Sequence, residues 1–231
     1  MNYIDTHSHI YSENFKLDLD EVVEKCYKSN VNKIILPNID LDSIDDLKST
    51  ITKYNNIYGN MMFGAMGLHP TSVTENYKED LDIIRQELIN NSEYYIAVGE
   101  IGMDLYWDQS LKDLQEDSLR IQFNIAKEFN LPVLIHSRSA EDEIIEILGE
   151  SKYKDIKGVF HCWSGNLEQT KKILDLGFYV GVGGTVTFKN SNVKDILKVV
   201  PIDKILTETD SPYLSPVPFR GKRNDSSNIP I

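Results

Sequence analysis

Cysteine is scarce in this 231-residue chain, with Cys26 in an expected helix and Cys162 after an expected strand. Two thiols so placed give no disulfide framework and suit a reducing compartment. Long apolar runs are missing too: no stretch approaches the roughly 18 residues of a membrane span. The first ten residues lack the basic flank of a secretory leader and already carry Asp5, His7 and His9. The expected location is therefore the cytoplasm, with no membrane partner. No Gly-x-Ser-x-Gly elbow occurs and neither cysteine is flanked like a nucleophile, which argues against covalent acyl chemistry. Positive charge is also in deficit. Lys and Arg number 24 against 36 Asp and Glu, a formal charge of −12. Such a balance disfavours long-range attraction to nucleic acid. It constrains steering of the whole molecule and not a local site, because bound cations can reverse the sign of a cleft.

What is present is an alternation. Short β-like runs at 3–6, 33–36, 62–66, 95–98, 132–135, 158–160, 178–182 and 204–206 are separated by stretches of helical periodicity. Leu19, Val22, Val23 and Cys26 form one apolar stripe behind an Asp18 to Glu21 capping-box pattern. Tyr77, Leu81, Ile84 and Leu88 form another. Leu111, Leu114, Leu119, Gln122, Phe123 and Ala126 outline a longer helix, and Ile144, Ile145, Ile147 and Leu148 follow Ser139. Strands alternating with helices imply parallel pairing, since each crossover needs a dozen or more residues. Eight units suggest closure into a single (β/α)8 TIM barrel spanning 1–231. An open doubly wound sheet would carry a Gly-rich phosphate loop after its first strand; Asp5-Thr6-His7-Ser8-His9 stands there instead.

All five histidines lie at or just after an expected strand end: His7 and His9 after the first, then His69, His136 and His161 after the third, fifth and sixth. In a barrel those ends converge on one face, where active sites assemble. His7 and His9, at i and i+2 of an extended segment, can face one metal. Glu100 follows a buried apolar run, where a carboxylate must ligate a metal or pair with a cation such as Arg138. Glu208 and Asp210 follow the eighth strand, again at i and i+2, with Asp210 placed as ligand and base. Imidazole and carboxylate donors suit Zn, Mn or Fe better than Mg. Six candidate ligands are enough for two divalent ions. Such a pair activates a water for hydrolysis.

The ordered set Asp5-Thr6-His7-Ser8-His9, Gly67-Leu68-His69-Pro70, Gly99 to Asp104, His136-Ser137-Arg138, His161 to Gly165, Thr207 to Pro212 and Arg220 to Asn224 resembles the TatD family of metal-dependent deoxyribonucleases in the amidohydrolase superfamily. The likeness spans nearly the whole chain. It implies a two-metal centre in which His7, His9 and Asp210 hold one ion, His136 and His161 the other, and Glu100 bridges them, with Zn, Mn or Mg as candidates. It implies Asp210, Glu100 and Glu208 as catalytic carboxylates. It also implies a Mg-dependent nuclease, often a 3′ to 5′ exonuclease on single-stranded DNA. Substrate contacts are then expected from His69, Arg138, Arg220, Lys222 and Arg223. Trp163, Tyr106 and Trp107 can stack bases; rim packing is the other reading for these rings, and a solvated loop for the arginines.

Family members continue into a further C-terminal helix, whereas here the pattern ends near Leu206 and the chain at Ile231. The expectation is a barrel lacking its last helix, its bare flank beside the first and eighth strands left by truncation or covered by self-association. Two other functions compete: a hydrolase of a small amide, ester or lactone, and a non-catalytic binding protein that keeps only the fold.

Overall fold

The structure is a computed structural model that describes residues 1–106 and 108–231. In chain order the elements are β1 (Tyr3–Asp5), α1 (Leu19–Lys28), β2 (Val31–Pro37), α2 (Ile44–Tyr58), β3 (Met62–Ala65), α3 (Tyr77–Asn90), β4 (Tyr95–Asp104) and α4 (Lys112–Phe129). They continue with β5 (Val133–Arg138), α5 (Glu141–Leu148), β6 (Gly158–Phe160), α6 (Leu167–Asp175), β7 (Tyr179–Val182), the single turn α7 (Val193–Ile196) and β8 (Ile205–Thr207). All neighbouring strands pair in parallel, in the order β1 to β8. The ends of the sheet meet: Thr6 N donates to Thr207 O at 3.1 Å, Asp210 N to His7 O at 2.9 Å and His9 N to Ser211 O at 2.8 Å. The sheet is thus a closed barrel, and the expected fold class holds.

Alternation along the strands makes two apolar layers. Ile35, Ala65, Ala97, Leu134, Val159, Tyr179 and Leu206, one from each of β2 to β8, form their own cluster inside the barrel. Their neighbours Ile34, Leu36, Val133, Ile135, Phe160 and Val180 face outward into the larger core shared with helix stripes such as Val22, Val23, Cys26, Leu81, Ile84, Leu119 and Phe123. At about 25 cal/mol per Å2 of buried apolar area, this outer layer is the main force holding helices to barrel.

Local details depart from expectation. β4 runs to Asp104, so Glu100 lies within the strand and not at its end. Asp18 makes no capping bond to α1; its carboxylate receives Arg223 instead. The reciprocal capping box occurs at α6, where Asn166 and Gln169 cap each other's backbone. Among the described residues no α-helix follows β8, and none is long and apolar enough to cross a membrane. Ile4 and Ile202 are solvent-exposed on or beside the strands that such a helix would cover.

The segment after β8 folds back, its 3-10 turn Ser226–Asn228 packing on α1 and β2. Fully buried Asn224 fastens it. Its Nδ2 donates to Thr209 O at 2.9 Å and Tyr213 O at 2.7 Å, and its Oδ1 accepts from Asp225 N at 3.0 Å and Asn228 Nδ2 at 2.8 Å. Asn224→Ala orphans several of these groups, and the expected loss is about 2–3 kcal/mol of stability. In a domain of this size that lowers Tm by roughly 4–12 °C; an unchanged thermal melt would show that the fastening contributes nothing.

Candidate metal centre

The strand ends bring His7, His9, Glu100 and Asp210 into one buried cluster. His7 Nε2 lies 3.2 Å from His9 Nε2 and 3.1 Å from Glu100 Oε2. His9 Nε2 lies 3.4 Å from the same oxygen, and Asp210 Oδ1 stands 3.9 and 3.8 Å from the two imidazole nitrogens. The other oxygen of Glu100 faces a second set. Oε1 is 2.9 Å from both His136 Nδ1 and His161 Nε2, which are 3.2 Å apart, and 3.4 Å from His69 Nε2. The alternative pairing of Glu100 with Arg138 is not found: Glu100 faces imidazoles throughout, and the Arg138 guanidinium lies 3.9 Å over the Tyr106 ring.

These separations suit a cation. With metal–ligand bonds of about 2.0–2.2 Å, tetrahedral ligands sit roughly 3.3–3.6 Å from one another. Three groups bring donor atoms within 4.8 Å of one another: His7, His9 and Asp210; His69, Glu100 and His136; and His7, His161 and Glu208. Buried Oε2 of Glu208 and Nδ1 of both His7 and His161 have no hydrogen-bond partner. Burial of unsatisfied polar atoms is costly, so a centre that collects them invites an ion.

The protonation pattern gives the same indication. Burial opposes charge on Glu100, but the imidazoles of His161, His7 and His69 outweigh it and hold the carboxyl well below its usual range. Burial, with His161 stacked 3.8 Å away, drives the pKa of His7 well down. Burial pushes Asp210 up to about 6 against the pull of His161 and His9. The net effect is one buried anion among crowded imidazoles, with a second carboxyl reluctant to ionise.

Supporting contacts set tautomers and main-chain positions. Tyr11 donates its hydroxyl hydrogen to Pro37 O at 2.6 Å, so it accepts from His9 Nδ1 at 3.3 Å and leaves His9 Nε2 as the free lone pair. Asp104 Oδ2 lies 3.1 Å from His136 Nε2 and fixes that ring with Nδ1 toward Glu100. Partners of this kind orient ligands and tune them. Helix α4 holds the end of β4 and the loop after β3: Gln115 bonds both the N–H and C=O of Asp104, and Gln122 does the same for Leu68, next to His69. Asn38 O accepts from Glu100 N at 3.0 Å. A Cβ on Gly181 would stand 2.3 Å from Glu208 Oε2, so glycine is what lets that carboxylate lie against β7. None of Asp104, Gln115, Gln122 or Asn38 was an expected functional residue. The available signal was a polar residue on an otherwise apolar stripe, as at Gln122.

The remaining candidates divide. His69 joins the imidazole cluster itself. Glu208 Oε1 accepts from Cys162 N at 2.5 Å and lies 3.7 Å from His161 Nδ1. Arg138 and exposed Tyr106 form one pair at the rim, and Arg220 lies 4.4 Å over the Phe188 ring. Arg223, expected to meet substrate, is instead engaged by both Asp18 oxygens, by Asn14 O and by the Phe15 face. Trp163 offers no stacking surface: it is buried edge-on to Phe160, its indole N–H donating to Thr170 at 2.9 Å. Trp107 lies outside the described residues.

Comparison with known proteins agrees with this architecture. Residues 4–231 match the model of the family described as TatD related DNase. The chain is 38% identical over 226 residues to a Bacillus subtilis protein, "Uncharacterized metal-dependent hydrolase YabD", covering 97% of this chain and 86% of that one. It also resembles the crystal structure of YjjV, a TatD homologue from Escherichia coli, with a TM-score of 0.90 and 30% identity over 98% of this chain and 86% of the other. A TatD family hydrolase from Entamoeba histolytica superposes with a TM-score of 0.86 at 25% identity, over 99% and 88%. Matched along almost its whole length, the chain belongs to the TatD related DNase family, within the metal-dependent hydrolases.

Proposed function

We propose that this protein cleaves phosphodiester bonds of DNA, using two divalent ions held by His7, His9 and Asp210 on one side and His136 and His161 on the other. One observation carries the reading: the two oxygens of Glu100 face separate sets of imidazoles, as a bridging carboxylate requires. When bound, such ions acidify a water and polarise the bond to be cut. Asp210, whose Oδ1 faces the first set, accepts the proton of the attacking water. Glu208, held by Cys162 N, keeps His161 oriented.

Arg138, its guanidinium 3.9 Å from the centre of the Tyr106 ring, forks onto a substrate phosphate. Tyr106 offers a face to an unpaired base. Arg220 on Phe188 stands as a second phosphate contact. The imidazole-rich donors favour Zn or Mn over Mg.

Metal analysis of gently purified protein is expected to return two equivalents of divalent transition metal per chain; none would overturn the two-ion reading. The loaded protein is expected to shorten end-labelled single-stranded DNA from the 3′ end. Asp210→Asn is expected to slow that cleavage by about 10²–10⁴-fold, the usual contribution of a positioned base. Intact DNA beside rapid turnover of a carboxylic ester would instead assign the centre to small ester or amide substrates.

A further inference from the structure

Behind the first set of donors, on the seam that closes the barrel, lies a carboxylate that touches neither solvent nor the proposed ions. Asp5 is fully buried in β1. Its Oδ1 accepts from His7 N at 3.2 Å and from Thr209 N at 3.0 Å, and its Oδ2 accepts from Thr209 Oγ1 at 2.6 Å. One side chain thus grips the backbone of a ligand histidine and of the residue preceding Asp210. The seam is reinforced beside it: Asp210 N donates to His7 O at 2.9 Å, Ser8 and Ser211 hydroxyls meet at 2.6 Å, and Ser226 donates to Ser8 at 3.3 Å.

Two facts make this arrangement more than general packing. A buried carboxylate is tolerated only when donors satisfy it, and here His7 N, Thr209 N and Thr209 Oγ1 all belong to the two segments bearing proposed ligands. Asp210 also has a left-handed backbone, φ +56°. That conformation is strained for an L residue and persists only where neighbours hold it. The other half of the centre has its own support: His136 comes from β5 and His161 directly follows β6, and Asp104 fixes His136.

We infer that Asp5 is a positioning residue for the His7, His9 and Asp210 half of the centre, setting the spacing between β1 and β8 donors without touching substrate or ion. The inference rests on the two-ion reading above. It acts through hydrogen-bond geometry, so an isosteric acceptor suffices. Asparagine keeps one oxygen for both backbone N–H groups and can turn its amide toward Thr209 Oγ1, whereas alanine keeps nothing.

The test is a Co2+ titration of chelator-stripped protein, read by the visible absorption of the bound ion. Wild type is expected to take two equivalents. Asp5→Ala is expected to keep one at wild-type affinity and to bind the other about 10–100-fold more weakly, the usual effect of losing an orienting partner. Asp5→Asn is expected to restore the second to within about threefold. Thr209→Val, which removes only the hydroxyl on Oδ2, is expected to weaken the same equivalent by about 3–10-fold, the worth of one hydrogen bond; it serves should Asp5→Ala fail to fold. Equal weakening of both equivalents, as a loosened fold would give, overturns the inference, as does wild-type binding in Asp5→Ala or Thr209→Val. A wild type that takes only one equivalent overturns the two-ion reading instead, and the role of Asp5 then stands or falls on whether its removal weakens that one.

Discussion

Everything at the rim of this barrel is arranged around one buried carboxylate. Glu100 sits within β4 at 2% exposure, with imidazoles from β1, β3, β5 and β6 or the loops after them closing on its two oxygens. Water cannot compensate such a charge, so the surrounding groups must. Crowded imidazoles do so only while they remain fixed. Each would otherwise turn toward solvent or a better partner, and the spacing that suits a cation would be lost.

The rest of the structure supplies that fixity. Helix α4 contributes two glutamines, seven residues apart, that hold the loop carrying His69 and the end of β4 at Asp104 through both backbone polarities. Asn38 does the same for the backbone at Glu100. The closing seam holds His7 against Asp210, and the C-terminal turn fastens that seam from behind through Asn224 and Ser226. The segment after β8 adds its own anchor by packing its 3-10 turn on α1 and β2.

The fold and the imidazoles were legible in the sequence because both have one-dimensional signatures. Alternating short strands and helices leave periodic apolar residues, and histidines after strand ends fall on the same face of any barrel those strands build. Contacts between distant segments leave no such trace. Asp104 reads as one more acidic residue until β4 extends far enough to set it against His136. Arg223 sits in a basic run and reads as a substrate contact, but chain reversal after β8 delivers it to Asp18 at the start of α1. Trp163 follows a strand like a rim residue, yet the left-handed backbone at Cys162 precedes a turn that buries its ring against Phe160 and Thr170.

The charge of the molecule is the remaining tension. A protein at −12 repels a polyanion at long range, and many of its surface cations pair with carboxylates, as in Arg85 with Glu128 or Arg120 with Glu150. Arg138 and Arg220 also meet aromatic rings, those of Tyr106 and Phe188. An aromatic ring constrains the direction in which a guanidinium presents its N–H groups, which is the geometry the proposed phosphate contacts call for. On the proposed reading, cations held in the centre would make attraction local to the mouth and short in range at physiological salt. Such a site would engage a strand end that diffuses into it while the acidic exterior disfavours binding along the length of a duplex.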